Sequence, residues 1–269
     1  MENLITRGRV AALAFALGAA FLATPAIGAT DVVDIGTLDQ SMLASIPAFQ
    51  AANRQMTQYG EQLQKQYVAR AQHASQADQA KLASEFQSRM ADKQRQVLGP
   101  LMQKAKIAVA SVASSRNLSV VLDKRIVVVG GQNITQSVRD LLTGIGDPVP
   151  PVSTPPPSTV GYVDQNAVDQ TPKVKAATDD FLKFKADQDK DAAAKLKSAH
   201  TDADRDAILR DYRKTLDARQ QSTLQPVVDQ TRDAIAAVAK QKGLILVVDA
   251  GNIIYGGTDI TADVTAKLK

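Results

Sequence analysis

The sequence predicts an α+β protein of two tandem units, each a small β-sheet body with a long antiparallel α-helical hairpin (a coiled-coil arm) and a short C-terminal helix. Three observations predict it. The chain repeats itself at a spacing of 125 to 126 residues, a proline-rich segment separates the copies, and each copy has a long polar stretch with apolar residues at roughly heptad spacing. The predicted units are residues 31–143 and 160–269, joined by a linker over 144–159.

The repeat is visible in short segments of sequence. Residues 35–40 (IGTLDQ) return as residues 160–165 (VGYVDQ), and residues 118–123 (LSVVLD) return as residues 244–249 (LILVVD). Because the offset changes by a single residue between these segments, the two copies are expected to fold alike.

The N-terminus is predicted to be an export signal. Two arginines precede an apolar run over residues 10–23, and small residues follow it. This order is typical of a secretory signal peptide, and the run is shorter than the ~20 residues that cross a bilayer. We expect a signal peptide over residues 1–28, a mature chain that starts at Ala29 or Thr30, and a soluble periplasmic protein; an uncleaved anchor is the alternative. The chain contains no cysteine, so packing alone must stabilise it.

The linker is marked by composition. Residues 147–159 (DPVPPVSTPPPST) contain six prolines. Proline has a fixed φ and lacks the backbone N–H, so the segment favours an extended, semi-rigid spacer. Each unit is therefore expected to fold as its own module, or to pair with another copy.

Each unit is predicted to open with a strand and a helix. The strands are residues 33–38 and 160–163, and the helices begin near Pro47 and Pro172. A narrow apolar stripe, which requires one partner helix, consists of Phe49, Ala52, Met56, Tyr59 and Leu63 in the first unit and Val174, Ala177, Phe181 and Phe184 in the second.

The partner helix is predicted to return after a polar tip. Ser75 and Thr201 each stand three residues before an aspartate, which is typical of a helix N-cap. Pro100 and Pro226 should kink the returning helices. Their apolar stripes are Leu82, Phe86, Met90, Val97, Leu101, Ala108 and Val112 in the first unit, and Ile208, Tyr212, Leu216, Val227, Ile235 and Val238 in the second.

Each unit is predicted to close with a β-hairpin and a helix. The hairpins join residues 118–122 to 126–129 and residues 244–248 to 253–255, and Thr135 and Thr261 are the expected N-caps of the terminal helices. So few strands leave exposed edges, which favours oligomerisation or docking between the units. The candidate assembly residues are Val120, Val121, Leu122, Val247 and Val248.

The C-terminal segment contains residues 248–252 (VDAGN), Tyr255 and residues 259–264 (DITADV), and residues 121–124 and 133–138 are a looser copy of it. This pattern is similar to the C-terminal signature of the Skp/OmpH family of periplasmic chaperones, which the chain resembles. The resemblance implies a trimer whose strands build a small barrel and whose helical arms enclose unfolded outer-membrane proteins, without nucleotide or catalysis. A trimer of chains, with two barrels, would reconcile two units per chain with a three-unit barrel.

The function that follows from the resemblance is that of an ATP-independent holdase, which binds unfolded outer-membrane proteins between its arms. The alternative is a structural coiled-coil adaptor of the cell envelope, in which the stripes serve only hairpin packing. The candidate client-lining residues are Met56, Tyr59, Leu63, Phe86, Met90, Phe181, Phe184 and Tyr212. The second tip is net acidic, which gives little support for lipopolysaccharide as a partner.

No motif of the sequence indicates an enzyme. The chain lacks a nucleophile elbow, a phosphate-binding loop and an HExxH motif. His73 and His200 are its only histidines, and both fall at predicted tips, where a metal site would be poorly supported. The glycine pairs at 130–131 and 256–257 favour turns over phosphate binding. We expect no catalysis, no cofactor, no metal site and no nucleic-acid partner.

Overall fold

A computed structural model of the chain describes residues 34–72 and 74–269. The predicted signal peptide and His73 lie outside the described residues. Within them, no helix combines the length and the apolar character needed to cross a membrane.

The N-terminal half contains one long helical hairpin and three short strands. Its elements are β1 (Ile35–Leu38), α1 (Pro47–Ala71), α2 (Gln76–Ser115), β2 (Val120–Asp123), β3 (Gln132–Asn133) and α3 (Thr135–Thr143). A 3-10 helix over Gln40–Ser45 joins β1 to α1, and a 3-10 turn over Lys124–Ile126 follows β2.

The C-terminal half follows the same order with three differences. Its elements are β4 (Val160–Val163), α4 (Gln165–Asp169), α5 (Pro172–Ser198), α6 (Asp202–Thr223), α7 (Gln225–Lys242), β5 (Leu246–Asp249), β6 (Ile253–Gly256), β7 (Thr258–Asp259) and α8 (Thr261–Lys267). The short helix α4 replaces the 3-10 helix, the returning helix is divided in two, and β6 is an extra strand.

The predicted helix starts are confirmed. Pro47 and Pro172 lie in the first turn of α1 and α5, where the missing N–H of proline is not needed. The Ser75 hydroxyl accepts a hydrogen bond from the Asp78 backbone N–H, and Thr201 forms a reciprocal capping box with Asp204.

Pro100 and Pro226, which were both predicted to kink a helix, lie at different places in their helices. Pro100 lies inside the continuous helix α2. In the C-terminal half the helix ends at Thr223, and Pro226 stands in the first turn of the new helix α7. Leu224, at the junction of α6 and α7, is buried at 3% exposure.

The predicted N-caps of the terminal helices are wrong. Thr135 and Thr261 are the first helical residues of α3 and α8, and their hydroxyls instead accept hydrogen bonds from the backbone N–H groups of Asp39 and Asp164, each at 3.0 Å. These bonds tie each terminal helix to the residue that follows the opening strand of its half.

The sheets connect the two halves. One has the order β3-β1-β2-β6 and the other the order β5-β4-β7. Within each half the pairings are parallel: β1 with β2 and β3, and β4 with β5 and β7. The strand β6 of the C-terminal half pairs antiparallel with β2 of the N-terminal half. We call this pairing the seam.

Both predicted β-hairpins are therefore wrong. A three-residue 3-10 turn after Asp123, and another after Asp249, direct the chain away from the strand just completed. Residues 253–256 consequently pair with the other half, and residues 126–129 form no strand in the described chain. β1 and β2 are parallel neighbours in the sheet although the whole hairpin of α1 and α2 separates them in sequence. The prediction paired only strands that are adjacent in sequence, so it missed this pairing.

Three apolar clusters stabilise this arrangement. One lies in each half, and the third contains Ile35, Val120, Leu122 and Val160 from both halves. Val127, Leu246, Val248 and Ile253 pack against this third cluster. The contact between the halves therefore has an apolar core as well as the hydrogen bonds of the seam.

Candidate functional site: the helical arms and the seam

The first arm, α1 with α2, projects from the apolar cluster of the N-terminal half. Phe49 and Ala52 at its base are buried, as are Leu63 and Leu82 farther out. A helix of 40 residues such as α2 is about 60 Å long at ~1.5 Å per residue. A single line of contacts between two helices therefore stabilises most of the arm.

Aromatic and charged side chains fill the outer part of the first arm. The rings of Tyr67 and Phe86 meet edge to face with their centroids 5.8 Å apart. Next to them, the Glu85 carboxylate forms ion pairs with Arg70 at 3.1 Å and Arg89 at 2.7 Å. These ion pairs are largely exposed and contribute little to stability, so apolar contacts, the aromatic pair among them, stabilise this part of the arm.

The middle of the first arm contains an adaptable apolar contact. Gly60 faces Met90, since a Cβ built at Gly60 would lie 3.7 Å from the Met90 Cε. Lys93 lies over the Tyr59 ring with its Nζ 5.6 Å from the ring centroid. A glycine opposite a methionine leaves room for the methionine to change rotamer.

The second arm, α5 with α6, has a polar clamp near its base. The Arg219 guanidinium lies 5.1 Å from the Phe184 ring centroid and donates to the Asp180 carboxylate at 2.6 Å. Its Nε atom is buried without a hydrogen-bond partner. One arginine thus holds both the aromatic and the acidic residue of α5 against α6.

A second polar cluster lies farther out on this arm. The Asp189 carboxylate accepts hydrogen bonds from the Lys185 ammonium at 2.8 Å and from the Tyr212 hydroxyl. Burial works to raise the pKa of Asp189, but these two donors hold it below its ordinary value. Burial and the bond to Asp189 raise the pKa of Tyr212. The cluster fixes α6 against α5 through a charged group rather than through apolar contact.

The predicted client-lining residues lie between the helices of the arms. Leu63 and Phe181 are buried, each at 6% exposure. The other six are half-buried: Met56, Tyr59, Phe86, Met90, Phe184 and Tyr212. The structure thus uses the predicted stripe for packing between helices, and only the partly exposed portions of these six side chains are accessible.

Several accessible apolar side chains were missed by sequence reasoning. Val68 in α1, Leu182 in α5 and Leu209 in α6 are exposed by 37–45%. These apolar residues lie outside the heptad stripe, so they are not needed for packing between the two helices. An apolar residue off the stripe is the signal that would have identified them.

The predicted assembly residues occupy two different environments. Val120, Val121 and Leu122 in β2 are buried at 0–2% exposure, because Val121 belongs to the apolar cluster of the N-terminal half and the other two belong to the cluster shared by both halves. The strand is paired with β1 on one edge and with β6 on the other. Val247 and Val248 in β5 are half-buried, and among the described strands β5 pairs with β4 alone.

Asp123 and Asp249, which end the equivalent strands β2 and β5, also have different environments. Asp123 is fully buried and its carboxylate accepts hydrogen bonds from Arg125 at 2.7 Å and Gln40 at 3.0 Å. The bond from Arg125 holds the pKa of Asp123 below its ordinary value. At the equivalent Asp249 the carboxylate accepts from the Gly251 backbone N–H at 2.7 Å. These contacts are structural, and they bring together no nucleophile and base.

Within the described part of the chain, no group of three His, Cys, Asp or Glu residues is arranged to hold a metal ion. His200 is exposed at the tip of the second arm, as the sequence predicts. The expected absence of a metal site, a cofactor and a catalytic group remains a prediction.

Residues 164–268 match the family model described as outer membrane protein (OmpH-like). The match covers less than half of the chain and includes the second arm, β5, β6, β7 and α8. No curated protein and no solved structure matches the chain.

Proposed function

We propose that this protein is an ATP-independent periplasmic holdase, not an enzyme, that binds unfolded outer-membrane proteins along its helical arms. OmpH-like proteins are typically periplasmic chaperones, and residues 164–268 carry the OmpH-like match. The N-terminal half is proposed to be a second OmpH-like unit, because it has the same order of elements and related sequence segments.

The observation that carries the proposal is the construction of the arms. Each is a pair of long helices in contact along one line, anchored at one end to a small sheet. Accessible apolar residues such as Val68, Leu182 and Leu209 are dispersed along them. Many weak contacts of this kind retain an unfolded chain without a pocket of defined shape.

Localisation follows from the sequence. Export by the N-terminal signal and cleavage before Ala29 or Thr30 would place the mature protein in the periplasm, where unfolded outer-membrane proteins pass. Intact-mass measurement of the protein from the periplasmic fraction tests this part. A mass that retains residues 1–28 would contradict it.

The proposed assembly is a homo-oligomer, and a trimer of chains is the arrangement that the resemblance implies. The charge of the arms gives little support for lipopolysaccharide as a partner. Near the second tip, Asp202 pairs with Arg205, while Asp204 belongs to the cap of α6.

A structural coiled-coil adaptor remains the second candidate, because Leu63 and Phe181 are buried between the helices and are not available to a client. In that case the arms would serve as spacers. The two candidates differ in whether the folded protein retains an unfolded chain.

The test is to dilute a urea-unfolded outer-membrane β-barrel protein into buffer that contains the mature protein and no nucleotide. A holdase suppresses light scattering by the aggregating client at near-stoichiometric concentration. No suppression by a protein that is well folded by circular dichroism would favour the adaptor.

A further inference from the structure

The two arms differ in sulfur content. The chain contains no cysteine, and residues 160–269 contain no methionine, so the second arm has no sulfur atom. The methionines other than Met1 all belong to the N-terminal half: Met42, Met56, Met90 and Met102. An oxidant that reacts with sulfur can therefore modify the first arm and leaves the second arm unchanged.

These four methionines differ in their surroundings. Met42 is buried in the apolar cluster of the N-terminal half at 5% exposure, whereas Met102 in α2 is 41% exposed. Met56 and Met90 are half-buried on the two helices of the first arm. Since oxidation of a side chain follows its accessibility, Met42 should resist an oxidant that reaches Met102.

Met90 has a space beside its sulfur atom. A Cβ at Gly60 of α1 would lie 3.7 Å from the Met90 Cε and 4.0 Å from its Sδ. These are ordinary contact distances, so the missing side chain of Gly60 leaves room for a methyl group next to the thioether. The same space can admit a small oxidant and hold the oxygen atom that oxidation adds.

The second arm has a different pair of residues at the same place in the repeat. At the offsets of 126 and 125 residues, Met90 corresponds to Leu216, and Gly60 corresponds to Lys185. Leu216 is half-buried, as Met90 is. A residue that cannot be oxidised thus occupies the equivalent position of the second arm.

We propose that Met90 is a site of reversible oxidation by hydrogen peroxide, and that its sulfoxide loosens the first arm while the second arm stays closed. The sulfur lone pair attacks one peroxide oxygen, and the O–O bond breaks. The transferred oxygen stays on sulfur, and the other oxygen leaves as water with both hydrogens. The thioether loses two electrons, and the peroxide gains them.

The sulfoxide should weaken the contact between α1 and α2. Oxidation converts an apolar thioether into a polar group, and a polar group between two helices without a hydrogen-bond partner destabilises their packing. A single line of contacts holds most of the arm together. Loss of the contact at Met90 therefore loosens the part of the arm farther from the body, which includes the ring pair of Tyr67 and Phe86.

Loosening of the arm has a consequence for client binding. Leu63 and Leu82 are buried between the helices at 6% and 9% exposure, and separation of the helices would expose them. Oxidised protein should therefore retain more client than reduced protein. This consequence rests on the proposed holdase function, whereas the oxidation of Met90 and the loosening of the arm do not.

Peptide mapping by mass spectrometry tests the site. The mature protein is treated with hydrogen peroxide, and each oxidised methionine gains the mass of one oxygen atom. We expect oxidation at Met90 and Met102, and none at Met42 until the protein is unfolded. Oxidation of Met102 without oxidation of Met90 would overturn the assignment of the site.

Trypsin cleavage of the folded protein tests the loosening. After oxidation, cleavage within residues 61–89 should become about tenfold faster, because proteolysis follows the population of the open form. Cleavage within residues 186–215 of the second arm should not change. Methionine sulfoxide reductases with a dithiol should restore the original rate. Equal rates before and after oxidation of Met90 would contradict the proposal.

Met90→Leu is the matched variant, because it places at this position the residue that the second arm has, at nearly constant volume. Its first arm should be cleaved at the same rate before and after peroxide treatment. Met56→Leu and Met102→Leu should still show the acceleration. Acceleration that persists in Met90→Leu, or that disappears in Met56→Leu, would assign the effect to another residue.

The aggregation assay separates this inference from the proposed function. Suppression by the reduced protein that does not increase after oxidation would contradict the consequence for clients and leave the holdase function intact. No suppression by either form would contradict the holdase function, while the mass and cleavage measurements would still decide whether Met90 is oxidised and loosens the arm.

Discussion

Gly256 lies so close to Ser119 that a Cβ on the glycine would be 2.1 Å from the serine carbonyl oxygen. The two residues belong to different halves, and the same carbonyl accepts a hydrogen bond from the Gly257 N–H at 3.1 Å. This contact places β6 on β2 and makes the two halves one folded body.

Gly256→Ala should weaken the seam. An alanine at this position has to adopt a strained positive φ. Its Cβ would also overpack against the Ser119 backbone, which costs about 1–3 kcal/mol because backbone atoms cannot move aside as a side chain can. Gly146→Ala carries the strain without the contact, because Gly146 also has a positive φ and nothing near a Cβ. Urea unfolding of the two variants measures the difference, and equal free energies of unfolding would contradict the close packing of the seam.

Asp123 should make stability depend on pH in acid. Since its folded pKa is held below the ordinary value, its contribution is present above about pH 4 and is lost as pH falls through the folded pKa. Asp123→Asn should lower the free energy of unfolding by about 1–3 kcal/mol at pH 7, and its difference from the unsubstituted protein should shrink below pH 4.

Asp249→Asn is the matched control for that measurement, because Gly251 stands where the other half has Arg125. It should change stability less at pH 7. If the two variants behave alike across the pH range, the bond from Arg125 to Asp123 does not stabilise the fold as described.

The elements were more predictable than their pairing. Helix starts at Pro47 and Pro172 and caps at Ser75 and Thr201 depend on neighbouring residues, so local sequence was sufficient. The seam was missed because the pairing of Val121 with Tyr255 depends on how the halves dock. Adjacent β-rich segments separated by a short turn favour a hairpin on local grounds alone.

The arm residues illustrate the same limit. Heptad spacing located Leu63 and Phe181 on the stripe, but it did not distinguish packing between helices from a surface that binds a client. Val68 and Leu182 became candidates only when their exposure was known. The position of Arg219 between Asp180 and Phe184 likewise depends on the register of two helices.

Adjacent residues in α5 should separate packing from client binding. Phe181→Ala should lower the free energy of unfolding by about 3 kcal/mol, since Phe181 is buried. Leu182→Ala should change it by less than about 0.5 kcal/mol. Thermal unfolding measures both, and equal effects would contradict the assignment of Phe181 to the interior of the arm.

The exposed apolar residues should contribute to client retention without contributing to the fold. The triple variant Val68→Ser, Leu182→Ser and Leu209→Ser should keep its melting temperature within a few degrees and suppress client aggregation less. Full suppression by a folded triple variant would assign client binding to other parts of the arms.

Removal of the outer arms tests the central claim most directly. Residues 61–89 and 186–215 are replaced by short Gly/Ser links, which preserves the core residues Ala105, Ala108 and Val109. A wider deletion from Ala51 to Ala110 would remove these three core residues, so the narrower deletion is the better test. The account predicts a folded body, shown by cooperative thermal unfolding, that no longer suppresses aggregation of an unfolded outer-membrane β-barrel protein. Undiminished suppression by the folded armless protein would contradict it.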